Sequence, residues 1–289
     1  MAMDSNSNLV RFGTSSFSSG DWVGPFYPAG TEPRDFLALY AQRFDTVEVD
    51  STYYALPKAS IVARWAEVTP PGFLIAAKFP RAIVHCGKSW KPDAREIMQP
   101  DTTYAIRDKF LESLSQLGDK LGPLLLQFPF FDRTQFPSAR LFVERLDRFL
   151  TDLPKEFRFA VEIRNKAWLT EEFVDLLRSH EVALTLVDHA WMPHGEDLLT
   201  KLDPVTSDFV YIRLLGDRKK IETLTKTWDK EVIDQSTTLS RWANVLFDLA
   251  AKGIPSLVYI NNHFAGHAPA TLRQLRELYR QLVDAHGAK

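Results

Sequence analysis

Eight short β-branched or aromatic runs recur along this chain, each followed by a loop and then, in most cases, by a stretch of helical periodicity. The runs cover residues 9–13, 46–49, 73–78, 124–128, 159–163, 183–187, 209–214 and 257–260. Helical patterns fall at 33–42, 59–67, 102–116, 138–150, 171–180, 239–252 and 270–283. Several carry apolar residues at helical spacing, such as Phe142, Leu146 and Phe149, or Phe173, Leu176 and Leu177. A strand run recurring eight times in 289 residues, in most cases with a helix after it, is the count of an α/β chain folded as a single (β/α)8 TIM-type barrel. The connections after the third and seventh runs are long loops, holding residues 80–100 and 217–236. Neither is of low complexity and no Gly/Ser or Pro-rich linker breaks the chain. Residues 9–285 therefore read as one barrel domain behind a disordered tail at 1–8. A doubly wound open sheet is the alternative. After the first run, however, the chain reads G-T-S-S-F-S-S-G, which is not a G-x-G-x-x-G fingerprint, so there is no nucleotide cofactor motif.

Composition narrows the setting. A formal net charge of −2 argues against a protein whose main task is non-specific binding to polyanions, while leaving room for a local basic patch. One cysteine, Cys86, excludes an internal disulfide and fits a reducing compartment. The first residues carry neither a basic segment nor an apolar h-region, and no apolar run approaches the length of a membrane span. A cytoplasmic protein with no membrane partner is expected.

In such a barrel the side chains at the C-terminal strand ends face the functional mouth. Collected there are Thr14, Ser15 and Ser16 from the first strand, and Glu48 and Asp50 from the second. Lys78 and then His85 follow the third, and Gln127 ends the fourth. Glu162 and Arg164 end the fifth, Asp188 and His189 the sixth, Arg213 the seventh, and Asn261, Asn262 and His263 the eighth. Buried charges are costly unless paired, so this crowd is either an ion network plugging the barrel or a site for a polar ligand.

Seven motifs add a family resemblance. F-G-T-S-S-F, F-D-T-V-E-V-D-S-T-Y-Y, F-x-x-K-F-P-R-A-I-V-H, L-G-P-L-L-L-Q-F-P, F-A-V-E-I-R-N-K-A-W, Y-I-R-L-L-G and Y-I-N-N-H-F-A-G-H-A-P-A occur in order from residue 9 to about 280. Together they resemble the YecE-like family, a domain of unknown function with a TIM-barrel fold. The resemblance implies the barrel and brings no settled activity. Two positions depart from the family pattern. Asp50 stands where E-x-N-S-T has asparagine, and Leu215 where R-x-H-G has histidine, so a histidine at that place is not available to a shared reaction.

Candidate chemistries divide as follows. Glycoside hydrolysis needs two carboxyl groups about 5 Å apart for retention and farther apart for inversion. Glu48 and Glu162 are the available pair, and Trp22, Phe26, Tyr27, Tyr53, Tyr54 and Trp168 would suit sugar stacking. A divalent metal has possible donors in Glu48, His85, Glu162, Asp188, His263 and His267. It is not favoured, because no strand carries a His-x-His pair and Gly266 and Pro269 read as loop. Lys78 is the Schiff-base candidate, against a simpler role as a salt-bridge partner, and Cys86 reads as an inert thiol. An anion is better supported. Arg213, Gly216, Arg218, Lys219, Lys220, Asn261, Asn262 and His263, with a helix starting near Pro269, lie where barrel phosphate sites form.

The sequence is thus read as a hydrolase- or isomerase-like enzyme acting on a small anionic, phosphorylated or sugar-like substrate. Glu48 and Glu162 are its acid/base pair, with Lys78 as the third catalytic candidate. Asp50, His85, Gln127, Arg164, Asp188, Arg213, Asn261, Asn262 and His263 are the binding residues. The alternative is a nucleic-acid-binding or damage-recognition module. Of Asn261 and Asn262, alternation along the strand lets one face the ligand while the other ties down the loop.

Overall fold

The computed structural model describes residues 9–88 and 91–287. The tail expected at 1–8 lies outside them. The strands are β1 (Val10–Thr14), β2 (Thr46–Val49), β3 (Leu74–Lys78), β4 (Leu121–Gln127), β5 (Phe159–Glu162), β6 (Ala183–His189), β7 (Val210–Gly216) and β8 (Ser256–Ile260). They form one sheet in the order β1-β8-β7-β6-β5-β4-β3-β2. The pairs β1–β8, β7–β8, β3–β4, β4–β5 and β5–β6 are parallel. A parallel bridge between Ser15 and Glu48 brings β1 to β2. This is the strand order of a (β/α)8 TIM-type barrel, as the sequence count requires.

The helices are α1 (Phe36–Tyr40), α2 (Ala59–Val68), α3 (Arg81–Val84), α4 (Ala105–Ser115), α5 (Ala139–Thr151), α6 (Glu171–Ser179), α7 (Gly195–Lys201), α8 (Arg218–Leu224), α9 (Ser236–Ala251), α10 (Asn262–Ala265) and α11 (Ala268–Gly287). The helix expected at 33–42 opens as a 3-10 turn at Pro33–Asp35, where proline cannot donate to a preceding turn. The two long connections are not loop throughout, since they hold α3 and α8. The segment 262–265, expected as loop, is one helical turn ended by Gly266 at φ 117°.

By its contacts the chain forms two compact units, and each is described by itself. The first holds the residues up to Glu48, Leu186–Pro204 and the residues from Asp208 on; the second holds Val49–Thr185 and Val205–Ser207. In the first unit an aromatic cluster fills the core beside β1. Tyr27 stacks on Phe36 with ring centroids 4.5 Å apart, and Phe26 stacks on Phe44 at 5.5 Å. Trp22, Phe26 and Tyr27 are buried, so these three of the aromatics considered for sugar stacking are packing residues. Gly13 is required where β1 runs against β2, because a Cβ there would lie 2.3 Å from the Thr46 carbonyl oxygen.

In the second unit α5 presents Phe142, Leu146 and Phe149, all fully buried, as its periodicity predicts. Trp168 packs on Phe142 at 5.0 Å and stacks on Phe131 at 6.0 Å. Thr170 caps α6 by accepting from the Phe173 N–H, with Glu171 and Glu172 in the first turn.

Candidate active site

The charged centre of the first unit follows from strand alternation. Residues two apart on a strand share a face, so Thr46 and Glu48 on β2, and Tyr211 and Arg213 on β7, project together. Glu48 is fully buried and Arg213 is 1 % exposed. Arg213 Nη2 donates to Glu48 Oε1 at 2.9 Å, and its Nε lies 2.8 Å from Oε2. The Tyr211 hydroxyl donates to the same Oε2 at 2.8 Å. Burial, and then the Glu48 charge, push the Tyr211 phenol well up, which keeps that proton on the tyrosine. Tyr259, level with Arg213 on the neighbouring strand, shares a 2.8 Å hydrogen bond with Thr46 Oγ1.

Above this layer the eighth strand ends in the two asparagines, and the structure separates their tasks. Asn262 ties down the loop: its Oδ1 accepts from Trp22 Nε1 at 3.2 Å and from the Ala268 N–H at 3.0 Å. Asn261 Oδ1 accepts from the His263 N–H at 2.9 Å and lies 2.6 Å from His263 Nδ1. A carbonyl oxygen only accepts, so Nδ1 carries the proton when the imidazole is neutral and Nε2 keeps its lone pair. Nε2 is 3.6 Å from Glu222 Oε1, and the Trp228 ring lies 4.9 Å from the imidazole. Burial and the nearby Arg218 lower the His263 pKa from its ordinary value, against the opposing pull of Glu222. His267 is placed elsewhere. It is 2 % exposed and stacked 6.2 Å from Trp22, and burial lowers its pKa to about 4.

The first strand adds Ser15, which alignment of β1 with β8 sets level with Asn261. Its backbone N–H is spent on the Ile260 carbonyl. Its Oγ is buried and has no hydrogen-bond partner among the described residues. The next residue, Ser16, has φ 82°, a left-handed conformation that costs a non-glycine residue about 1 kcal/mol or more. Sequence reasoning placed these serines at the strand end but gave them no role.

At the strand ends of this unit Arg218 and two helix starts are engaged by the protein itself, and Lys219 Nζ lies 5.9 Å from the Trp191 ring. Arg218 Nε pairs with Glu222 Oε1 at 2.7 Å. Asp217 caps α8 by accepting from the Lys220 N–H at 3.1 Å, and Asn262 occupies the start of α11. Asp188 accepts from Trp242 Nε1 at 2.7 Å and lies 3.5 Å from His194, which ties it to α9.

The second unit holds the other expected residues. Glu162 is fully buried, and its Oε1 lies 2.5 Å from Arg164 Nη2, a pair made by residues two apart. Gln127 stands level with Glu162 on β4. Lys78 ends β3, where the Thr52 hydroxyl donates to its carbonyl at 2.8 Å. Asp50 precedes the 3-10 turn Ser51–Tyr53 and is half-buried. His85 is buried and its Nδ1 accepts from the Gly87 N–H at 3.2 Å. Burial, with Glu96 and Asp93 nearby, pushes the Cys86 thiol up to about 12, consistent with an inert cysteine. A residue the sequence did not single out is Asn165. Its side chain clamps both backbone groups of Phe131, at 2.9 and 2.8 Å. Among the described residues no three His, Cys, Asp or Glu side chains converge as a metal site, and no helix is long and apolar enough to cross a membrane.

Strand order, a buried Glu–Arg centre and a histidine oriented by asparagine at the end of β8 define a TIM-barrel protein with polar groups gathered at its strand ends. The chain belongs to the family described as Protein of unknown function DUF72, whose model matches residues 11–288. It is 32% identical over 170 residues to the UPF0759 protein YecE of Escherichia coli (strain K12), covering 55% of this chain and 56% of that one. It is 28% identical over 170 residues to the UPF0759 protein YunF of Bacillus subtilis (strain 168), covering 58% and 55%. The chain thus spans about half the length of the curated relatives it matches. A crystal structure of a DUF72 family protein from Thermotoga maritima superposes with a TM-score of 0.72 at 25% identity, over 96% of this chain and 99% of that one. A DUF72 family protein from Enterococcus faecalis gives 0.67 at 20% identity, over 94% and 96%, and bears on the fold alone.

Proposed function

We propose that this chain is a cytoplasmic enzyme that moves a proton with His263, acting on a small, neutral, sugar-like substrate at the ends of β1, β7 and β8. The observation that carries the reading is the 2.6 Å contact between Asn261 Oδ1 and His263 Nδ1. It holds the ring in the tautomer whose Nε2 is a base, and the lowered pKa keeps that base unprotonated near neutrality. Isomerase and hydrolase chemistry both need such a group. Of the substrate chemistries the sequence allowed, the neutral one is favoured by charge: Arg213 is committed to Glu48 and Arg218 to Glu222, so an anion would meet carboxylates already in place. Glu48 acts from beneath as a fixed charge, since a fully buried carboxylate bonded through both oxygens would have to give up those bonds to meet a substrate.

The test is proton exchange. A panel of aldoses and ketoses in deuterated water, followed by NMR, should show deuterium entering a carbon-bound position or hydrolysis of a glycoside. His263→Gln should abolish that turnover, and Asn261→Ala should lower kcat while raising the share of the other imidazole tautomer seen by nitrogen-15 NMR. Turnover unchanged in His263→Gln would sink the reading.

A further inference from the structure

The first unit has a cleft of about 570 Å³, lined by Phe26, Gln42, Arg43, Asp45, Arg273 and Arg276 among others. It is built on the connection from α1 into β2 and on α11. It shares none of these residues with the Asn261–His263 centre. Three arginines meet here. Arg273 and Arg276 are three apart on α11 and share a helix face.

These arginines differ from those at the strand ends in how they are held. Arg213 and Arg218 each pair with a glutamate, whereas Arg43, Arg273 and Arg276 pair with no carboxylate among the described residues. Two of them are positioned by neutral groups. Arg43 Nη1 donates to the Phe26 carbonyl, and Arg276 Nη1 donates to the Arg43 carbonyl at 3.0 Å. The Arg43 guanidinium sits 4.7 Å over the Phe26 ring and that of Arg276 lies 5.7 Å from the Phe44 ring. Phe26 and Phe44 stack on each other, so one aromatic pair supports both cations. Each guanidinium has five N–H donors, and one spent on a carbonyl leaves several for a ligand. The one carboxylate lining the cleft, Asp45, accepts from the Phe12 backbone N–H at 3.3 Å.

We propose that this cleft binds the phosphate group of a small phosphorylated molecule. Arg43 and Arg276 form one wall, and Arg273 is the third donor. Guanidinium groups match phosphate oxygens in charge and in planar fork geometry, and three arginines against one carboxylate leave the excess of positive charge that distinguishes an anion site from a salt-bridged surface. The site is separate from the His263 centre and does not depend on the reading given for it.

Calorimetric titration of the purified chain with inorganic phosphate, pyrophosphate and AMP, and with a single-stranded deoxyoligonucleotide, tests this. Saturable binding of at least one of the three small phosphates, one per chain, is expected, weakened at least ten-fold by Arg273→Ala. The Arg273 side chain makes no hydrogen bond or ion pair among the described residues, so this variant should fold; an unchanged melting temperature verifies that. Arg218→Ala, at the strand ends, should leave the affinity unaltered. Absence of binding by any of the small phosphates overturns the proposal. So does binding of the oligonucleotide alone, or a loss caused by Arg218→Ala rather than Arg273→Ala.

Discussion

Arg213→Met is the sharpest probe of the buried centre. The substitution keeps most of the apolar volume but removes both guanidinium contacts to Glu48, at 2.8 and 2.9 Å, and leaves the Tyr211 hydroxyl. Hydrogen bonds to a charged group contribute about 1.5–3 kcal/mol each, and breaking a buried ion pair from one side costs about 3–5 kcal/mol. Two lost contacts to a carboxylate with no exposed surface place this case within that range, so we expect a destabilisation of about 3–5 kcal/mol. At about 2 °C per kcal/mol for a large domain, the Tm should fall by roughly 6–10 °C. Urea unfolding followed by circular dichroism measures the free energy directly. The companion variant Glu48→Gln/Arg213→Met removes the stranded charge and should recover most of the loss, because the amide oxygen still accepts from Tyr211. If the single variant stays within about 1 kcal/mol of the parent, or the double variant is no better than the single one, the pair does not carry the energy assigned to it.

Three further outcomes follow from the same geometry. Gly216→Ala puts a Cβ 2.5 Å from the His263 carbonyl oxygen at a residue with φ 67°; a loss above about 1 kcal/mol is expected, with shifted His263 imidazole resonances in NMR. Asn165→Ala strips the partners from both backbone groups of Phe131, so urea unfolding should show a loss of about 1–3 kcal/mol and limited proteolysis should cut faster near residue 131. His267, held down at about 4 by burial against about 6.5 in an unfolded chain, contributes stability that is complete above the unfolded value and is lost as pH falls from there toward 4. His267→Phe keeps an aromatic ring against Trp22 and should flatten that acid limb, by an amount on the order of 3 kcal/mol between pH 7 and pH 4 in urea titrations.

The barrel was legible because its signal is periodic and repeated: β1 to β8 fall within a few residues of the eight runs, and α5 buries the face its spacing marks out. One- and two-turn helices were not, since α3, α8 and α10 are too short to show a period. Alternation also foresaw that one asparagine would tie down the loop, which Asn262 does through Trp22 and Ala268. The partner of Glu48 was out of reach, because Arg213 lies 165 residues away and only strand closure brings the two together. Aromatic type alone leaves sugar contact and packing both open, and for Trp22, Phe26 and Tyr27 the fold takes the commoner course and uses them as core.

The same limit bears on where we propose an anion site. A sequence shows which residues carry positive charge but not which of those charges are already neutralised, and an anion responds to the second quantity. The loops after β7 and β8 are rich in cations and sit where barrel phosphate sites form, yet Glu48, Glu222 and Asp217 take up Arg213, Arg218 and the start of α8. Around the other cleft the sequence looks unremarkable, with Arg43 in one connection and Arg273 and Arg276 near the far end of the chain. Folding brings them together beside Phe26 and Phe44, with Asp45 as the one carboxylate in the cleft and no ion pair to any of the three among the described residues. Field strength at a cleft depends on the charge left uncompensated there, so three such arginines outweigh a longer list of paired ones. If phosphate binds this chain, the cleft at Arg273 is where that balance directs it.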